Sequence, residues 1–184
     1  MFSDLPLLSL VIWLPIIGGF LVLVTGSKNS VEAKVLSLVI TIATFLLSLL
    51  LYIGYDNSTS NMQFAEMSPW IQAFNINYSL GVDGLSMPLI ILTTFITVLV
   101  VIAGWKVIEF KPAQYMASFL ILEGLMIGVF AAQDIILFYV SFELTLVPMF
   151  FLIAIYGGKN RAHASIKFFI YTFTGSLFTL AGLI

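Results

Sequence analysis

The stretch IILFYVSFELTLVPMFFLIAIY, Ile135–Tyr156, is an apolar run with one ionisable side chain, Glu143, near its centre. About 20 apolar residues cross the hydrocarbon core of a bilayer, so the run reads as a membrane span. A charge at that depth costs about 3 kcal/mol on insertion scales, and acids so placed usually face a wet or polar interior. Pro148 lies five positions on and strips a backbone hydrogen bond from the same helix. Its ring clashes with the carbonyl of Leu144, the residue after the glutamate. A freed carbonyl and a local widening beside an acid can hold water, which a proton wire needs. Glu143 is therefore a candidate proton or ion site with Pro148 as its helix break; a proline that merely bends the helix is the alternative.

Composition sets the same class for the whole chain. Of 184 residues, 61% are hydrophobic and 9% charged, with mean hydropathy +1.13. Soluble domains carry roughly 25% charged residues, and this chain could not cover a water-facing surface. The net charge of −2 gives no reason to expect nucleic acid as a partner. With no cysteine, the chain itself can hold neither a disulfide nor a cysteinyl iron–sulfur cluster. A single histidine argues against a histidine-based metal or haem site.

Five runs have spanning length: Leu5–Thr25, Val35–Tyr55, Leu85–Trp105, Ala113–Gln133 and Ile135–Tyr156. Ala164–Ile184 begins a sixth, inside which the sequence stops. The expected fold is an all-α integral membrane bundle of six helices, the amino-terminal piece of a longer protein. The first run has Asp4 and no basic residue before it and no small-x-small cleavage site after it, so it reads as a retained helix rather than a signal peptide.

Charge gives the direction. Lys28, Lys34, Lys106, Lys111, Lys159, Arg161 and Lys167 all fall at one end of the spans, which the positive-inside rule makes cytoplasmic. The other end carries Asp4, Asp56, Glu66, Asp83 and Asp134 without a basic group, placing the N-terminus outside. Loop Asp56–Gly84 opens with the polar tract DNSTSN. Further on, Met67, Trp70, Ile71, Phe74, Ile76 and Tyr78 suit the membrane interface. Alternation in FNINYSL fits a short extended piece or hairpin arm, and an irregular loop fits as well. Trp13, Trp105 and Tyr115 read as belt residues. Gly81-Val82-Asp83-Gly84 lacks phosphate-loop spacing, so no NADH site is expected in this chain.

Three ionisable residues lie within the spans: Glu123, Glu143 and Lys167. Glu123 and Glu143 stand about 16 Å and about 13 Å from the Asp134 end of two antiparallel neighbours, at similar depth. Helix rotation decides whether they face each other. If they do, repulsion and desolvation would let the pair hold a proton at neutral pH. The other reading of Glu123 is a carboxyl bonded to a neighbouring helix. Lys167, about 8 Å deep, either snorkels to the cytoplasmic interface or is a cation that tunes the acids or relays protons from the cytoplasmic side. His163, one turn earlier, reads as a loop residue, with an interfacial proton donor as the alternative.

Three segments carry a family resemblance: VDGLSMPLIILTTFIT (Val82–Thr97), QDIILFYVSFELTLVPMFFLIAIYGG (Gln133–Gly158) and KFFIYT (Lys167–Thr172). They resemble subunit M of the proton-pumping NADH:quinone oxidoreductase, respiratory complex I, whose mitochondrial counterpart is subunit 4. The wider family includes the L- and N-type subunits and the multisubunit cation/proton antiporters. The resemblance implies a fourteen-helix subunit, of which residues 1–184 are the amino-terminal part of one antiporter-like domain, cut within its sixth helix. It implies that Glu143 pairs with a lysine on a broken seventh helix, and that their separation controls the lysine's proton affinity. It implies NADH, FMN, iron–sulfur clusters and quinone in other subunits, L- and N-type subunits as neighbours, and a bacterial inner membrane, or the mitochondrial one if the gene is organellar. A sodium/proton antiporter subunit and a membrane-bound hydrogenase subunit are the alternatives.

Overall fold

In the computed structural model, residues 6–26, 30–59 and 61–183 are described. Six helices are each long and apolar enough to cross a membrane: α1 (Leu7–Gly26), α2 (Ser30–Gly54), α3 (Ser86–Val107), α4 (Pro112–Ala131), α5 (Ile135–Tyr156) and α6 (Arg161–Leu183). Asp4, Leu5, Lys28 and Ile184 lie outside the described residues. The expected ends hold for α5 and shift elsewhere. α2 starts at Ser30 rather than Val35, because Glu32, Ala33 and Lys34 form a good first helical turn although they are not uniformly apolar. α6 starts at Arg161, so His163 sits in its first turn and not in a loop. α4 stops at Ala131 instead of Gln133, because Ala132 bridges to Leu80 and the Gln133 N–H donates to the Ser79 carbonyl at 2.9 Å.

The loop between α2 and α3 is a β-hairpin. β1 (Gln63–Ile71) runs antiparallel to β2 (Ile76–Val82), pairing Glu66 with Leu80 and Ser68 with Tyr78. The turn closes through Asn75 at φ 53°, a left-handed conformation that asparagine tolerates. Met67, Trp70 and Phe74 are exposed on it, as membrane-interface residues would be. Trp13 donates its indole N–H to the Tyr78 hydroxyl at 3.2 Å, tying the α1 belt residue to β2.

α4 is the hub, packing against α1, α2, α3 and α5, while α6 leans chiefly on α5. Close approach of α1 and α4 requires Gly124, where a Cβ would meet the Ile12 carbonyl oxygen at 2.5 Å. Small residues let membrane helices approach in this way where no hydrophobic force draws them together. α2 meets α3 along a buried hydroxyl row, Ser37, Thr41, Thr44 and Ser48. All four hydroxyls donate back to carbonyls of their own helix, and Ser48 Oγ also lies 2.9 Å from Thr94 Oγ1 across the seam.

The acids of the hairpin end have a structural task. Every odd-numbered helix begins there, exposing backbone N–H groups and the positive end of its dipole. Glu66 reaches over from β1 to accept the Leu8 N–H at 2.8 Å, the Ser9 N–H at 3.1 Å and the Ser9 hydroxyl. Asp83 accepts the Ser86 N–H at 2.7 Å at the start of α3. Asp134 accepts the Ile136 N–H at 2.8 Å at the start of α5, and its second oxygen accepts the Asn77 N–H at 3.3 Å. The opposite end is basic: Lys34 Nζ donates to the Trp105 carbonyl at 2.6 Å, where α3 finishes. Charge partition thus serves both membrane orientation and helix termination.

Candidate proton site

Glu123 and Glu143 sit near the middle of α4 and α5, each with both carboxylate oxygens buried and without a hydrogen-bond partner. They do not face each other. The α4 side that looks to α5 carries Ser118, Ile121, Leu125 and Gly128; Ser118, Ile121 and Leu125 line a groove shared with α5, and Gly128 packs at Ser141. At about 100° per residue, Glu123 lies on the far side of α4 from that stripe. It opens instead into a cavity of about 240 Å³ toward α3, whose wall includes Thr93 and Thr97. Glu123 is 1% exposed. Two separate acid sites therefore replace the coupled pair that rotation left open.

Glu143 shares a face of α5 with Leu146 and Phe150, three and seven residues on. Phe150 meets Phe169 of α6 edge-on, with ring centroids 5.9 Å apart. The helices are antiparallel, so seven residues back on α5 matches seven forward on α6, and Ser176 stands level with Glu143. Ser176 is 4% exposed, one of the few buried side chains on a helix otherwise open on most sides. It belongs to a small polar face with Ser165 and Thr172 at spacings of seven and four. That recurrence is the signal by which it could have been singled out; likewise Thr93 and Thr97 are one helical turn apart in α3.

Pro148 is buried in α5, which continues through it. With Leu144 and Val147 it lines a groove of about 660 Å³ between α1, α4 and α5, walled also by Trp13, Phe20 and Ile121. Pro148 points about 140° around the helix from Glu143. Pro148 faces this groove, and Glu143 is not among the groove's lining residues. Lys167 is exposed on α6, two residues and therefore about 200° around from buried Ser165. Neither glutamate has a bonding partner, so Lys167 is not joined to them. Of the four residues singled out by sequence, none touches another through a polar contact.

Among the described residues, no group of three or more His, Asp or Glu side chains could hold a metal. The acids that bond most extensively are the caps outside the membrane. At Asp83, hydrogen bonds from the Ser86 backbone and hydroxyl hold the carboxyl below its ordinary value; at Asp56 the Ser58 hydroxyl and N–H do the same.

Such an architecture, six spans with two buried, unpartnered acids at mid-depth, defines a polytopic helical membrane protein. Residues 9–130 match the family model described as NADH-ubiquinone oxidoreductase chain 4, amino terminus, and the chain belongs to that family. Residues 132–184 match a second model, NADH:quinone oxidoreductase/Mrp antiporter, TM, which takes in all of α5. The chain is 44% identical over 182 residues to NADH-quinone oxidoreductase subunit M of Rhodobacter capsulatus, covering 97% of this chain and 35% of that protein. It is 42% identical to the F(420)H(2) dehydrogenase subunit M of Methanosarcina mazei, covering 97% and 36%. Its fold matches a chain of respiratory complex I from Thermus thermophilus at TM-score 0.81 and 28% identity, covering 95% of this chain and 34% of the other. The chain thus spans about a third of the length of these relatives.

Proposed function

We propose that the chain is the amino-terminal part of a proton-translocating membrane-arm subunit of an NADH:quinone oxidoreductase, with Glu143 as its proton-relay acid. The observation that carries this reading is the buried, unpartnered carboxyl at mid-span of α5, within the segment matched by the oxidoreductase/antiporter model. An acid with no bond to satisfy it in an apolar bundle is costly unless a proton or a cation neutralises it. In this reading a cation on a helix outside the chain faces Glu143 and is stabilised by it. Two unit charges about 4 Å apart at an effective dielectric of about 20 attract by about 4 kcal/mol. Breaking that pair discharges the cation's proton; forming it reloads the site. Lys167, near the cytoplasmic end of α6, lies on the inlet side. Pro148 gives α5 a bend beside its groove rather than a contact to the acid.

The driving reaction lies elsewhere. NADH, FMN, iron–sulfur clusters and quinone belong to partner subunits, and L- and N-type subunits flank this one in the arm. Residues 1–184 form one part of a single antiporter-like domain in a bacterial inner membrane, basic face to the cytoplasm. A second reading, a cation/proton antiporter subunit, is favoured by the breadth of the model matching α5. The discriminating experiment places Glu143→Gln in the full-length subunit within its assembled complex. Proton uptake per NADH oxidised should fall about tenfold or more, as for loss of a proton-transferring group. A change in sodium tolerance alone would make the protein an antiporter subunit. Intact pumping would make α5 a scaffold.

A further inference from the structure

Glu123 is more completely enclosed than Glu143, and nothing in the relay just described uses it. Its side chain is 1% exposed, both oxygens lack partners, and it opens into the cavity between α3 and α4. The wall opposite holds the hydroxyls of Thr93 and Thr97, each donating to a carbonyl of its own helix, at 2.8 and 2.9 Å. Each hydroxyl oxygen keeps a lone pair able to accept a further bond. Among the described residues, no cation stands at the cavity. α1 has no titratable side chain within Leu7–Gly26. On α2, Glu32 and Lys34 stand at the basic end and Tyr52 near the other; on α3, Lys106 stands at the basic end. Glu143 of α5 lies across α4, on the side away from the cavity. An ionised carboxyl in such surroundings carries the full cost of desolvation with nothing to offset it, whereas the neutral acid carries a small part of it and has an O–H to donate.

We propose that Glu123 is a second proton-binding site, independent of Glu143, that holds its proton as a neutral acid in the α3–α4 cavity and exchanges it there. The threonine wall and the space of about 240 Å³ give water room and partners beside the carboxyl. The site does not rest on the relay role of Glu143 and would survive its failure.

The test uses an apolar carbodiimide, dicyclohexylcarbodiimide, on the assembled complex in membranes. A neutral carboxyl in an apolar cavity adds across the reagent's C=N bond: its proton goes to nitrogen and its oxygen to the central carbon. Acyl transfer to the neighbouring nitrogen then leaves a stable N-acylurea, and nothing else is consumed or released. Peptide mapping should find the adduct on Glu123, at the same level in wild type and Glu143→Gln, and lose it in Glu123→Gln. In deuterated water, the infrared carbonyl band that Glu123→Gln removes should shift. An unlabelled Glu123 in the wild-type complex, which requires no variant to assemble, would overturn the proposal. So would labelling that disappears in Glu143→Gln, or a carbonyl band that never exchanges.

Discussion

Glu123 and Glu143 lie at similar depth on adjacent helices, yet their surroundings are unlike. Glu123 belongs to the more closely packed block: half of the α1 span is buried, and α4 touches four other helices. Glu143 belongs to a pair with little cover, where 17% of the α5 span and 11% of the α6 span are buried. In membrane helices packing and small residues, rather than expulsion of water, hold a block together. The enclosed acid is 1% exposed within this chain and faces the α3–α4 cavity. The other has both carboxylate oxygens buried on a helix pair with little cover, and in the proposed relay it faces a cation outside this chain. A site that loads and discharges needs a neighbour able to change, and the difference in cover supports the proposed relay at Glu143 and the proposed store at Glu123.

Disrupting the closed block should have the largest effect. Gly124→Val drives two methyl groups toward the Ile12 carbonyl and the Ile16 side chain, and overpacking of this kind costs about 1–3 kcal/mol. The amount of assembled subunit and its unfolding midpoint in detergent should both drop. Unchanged values would mean that α1 and α4 are further apart than described, and that Glu123 is less enclosed.

A smaller effect is expected at the caps, which fix how the block is closed outside. Glu66→Ala removes the acceptor for the first N–H groups of α1 and should cost about 1 kcal/mol. Faster hydrogen exchange at Leu8 and Ser9, with α4 unaffected, is the corresponding local readout.

The smallest effect is one of pH. Asp83 is held below its ordinary value in the folded protein by its bonds to Ser86. Its stabilisation is therefore complete above the ordinary carboxylate range and is lost as pH falls through the lowered folded value. Asp83→Asn should flatten that part of the acid unfolding curve slightly, because the group is largely solvent-exposed and well screened.

Much of this comparison was legible in the residues. Spans follow from hydropathy, and α5 is bounded as expected because Asp134 caps it and Gly157 ends it. The depth of both acids follows from counting along helices. What sequence withheld was rotation: three apolar faces of α4 look alike, and only Gly124 against Ile12 turns Glu123 toward α3. The same limit hid Pro148's distance from Glu143, since closeness along the chain is not closeness around a helix. The end of α4 was hidden for another reason. Ala132 and Gln133 are apolar or neutral enough to continue the helix, and it is pairing with β2 that removes them. The hairpin itself was one of two open readings, because its alternation is short and interrupted.

The most direct measurement is an infrared difference spectrum of the assembled complex, resting against turning over NADH, for wild type and both single glutamine variants. A carboxyl signal that appears with turnover should vanish in Glu143→Gln and persist in Glu123→Gln. A turnover signal untouched by Glu143→Gln would contradict the role given to the α5 acid.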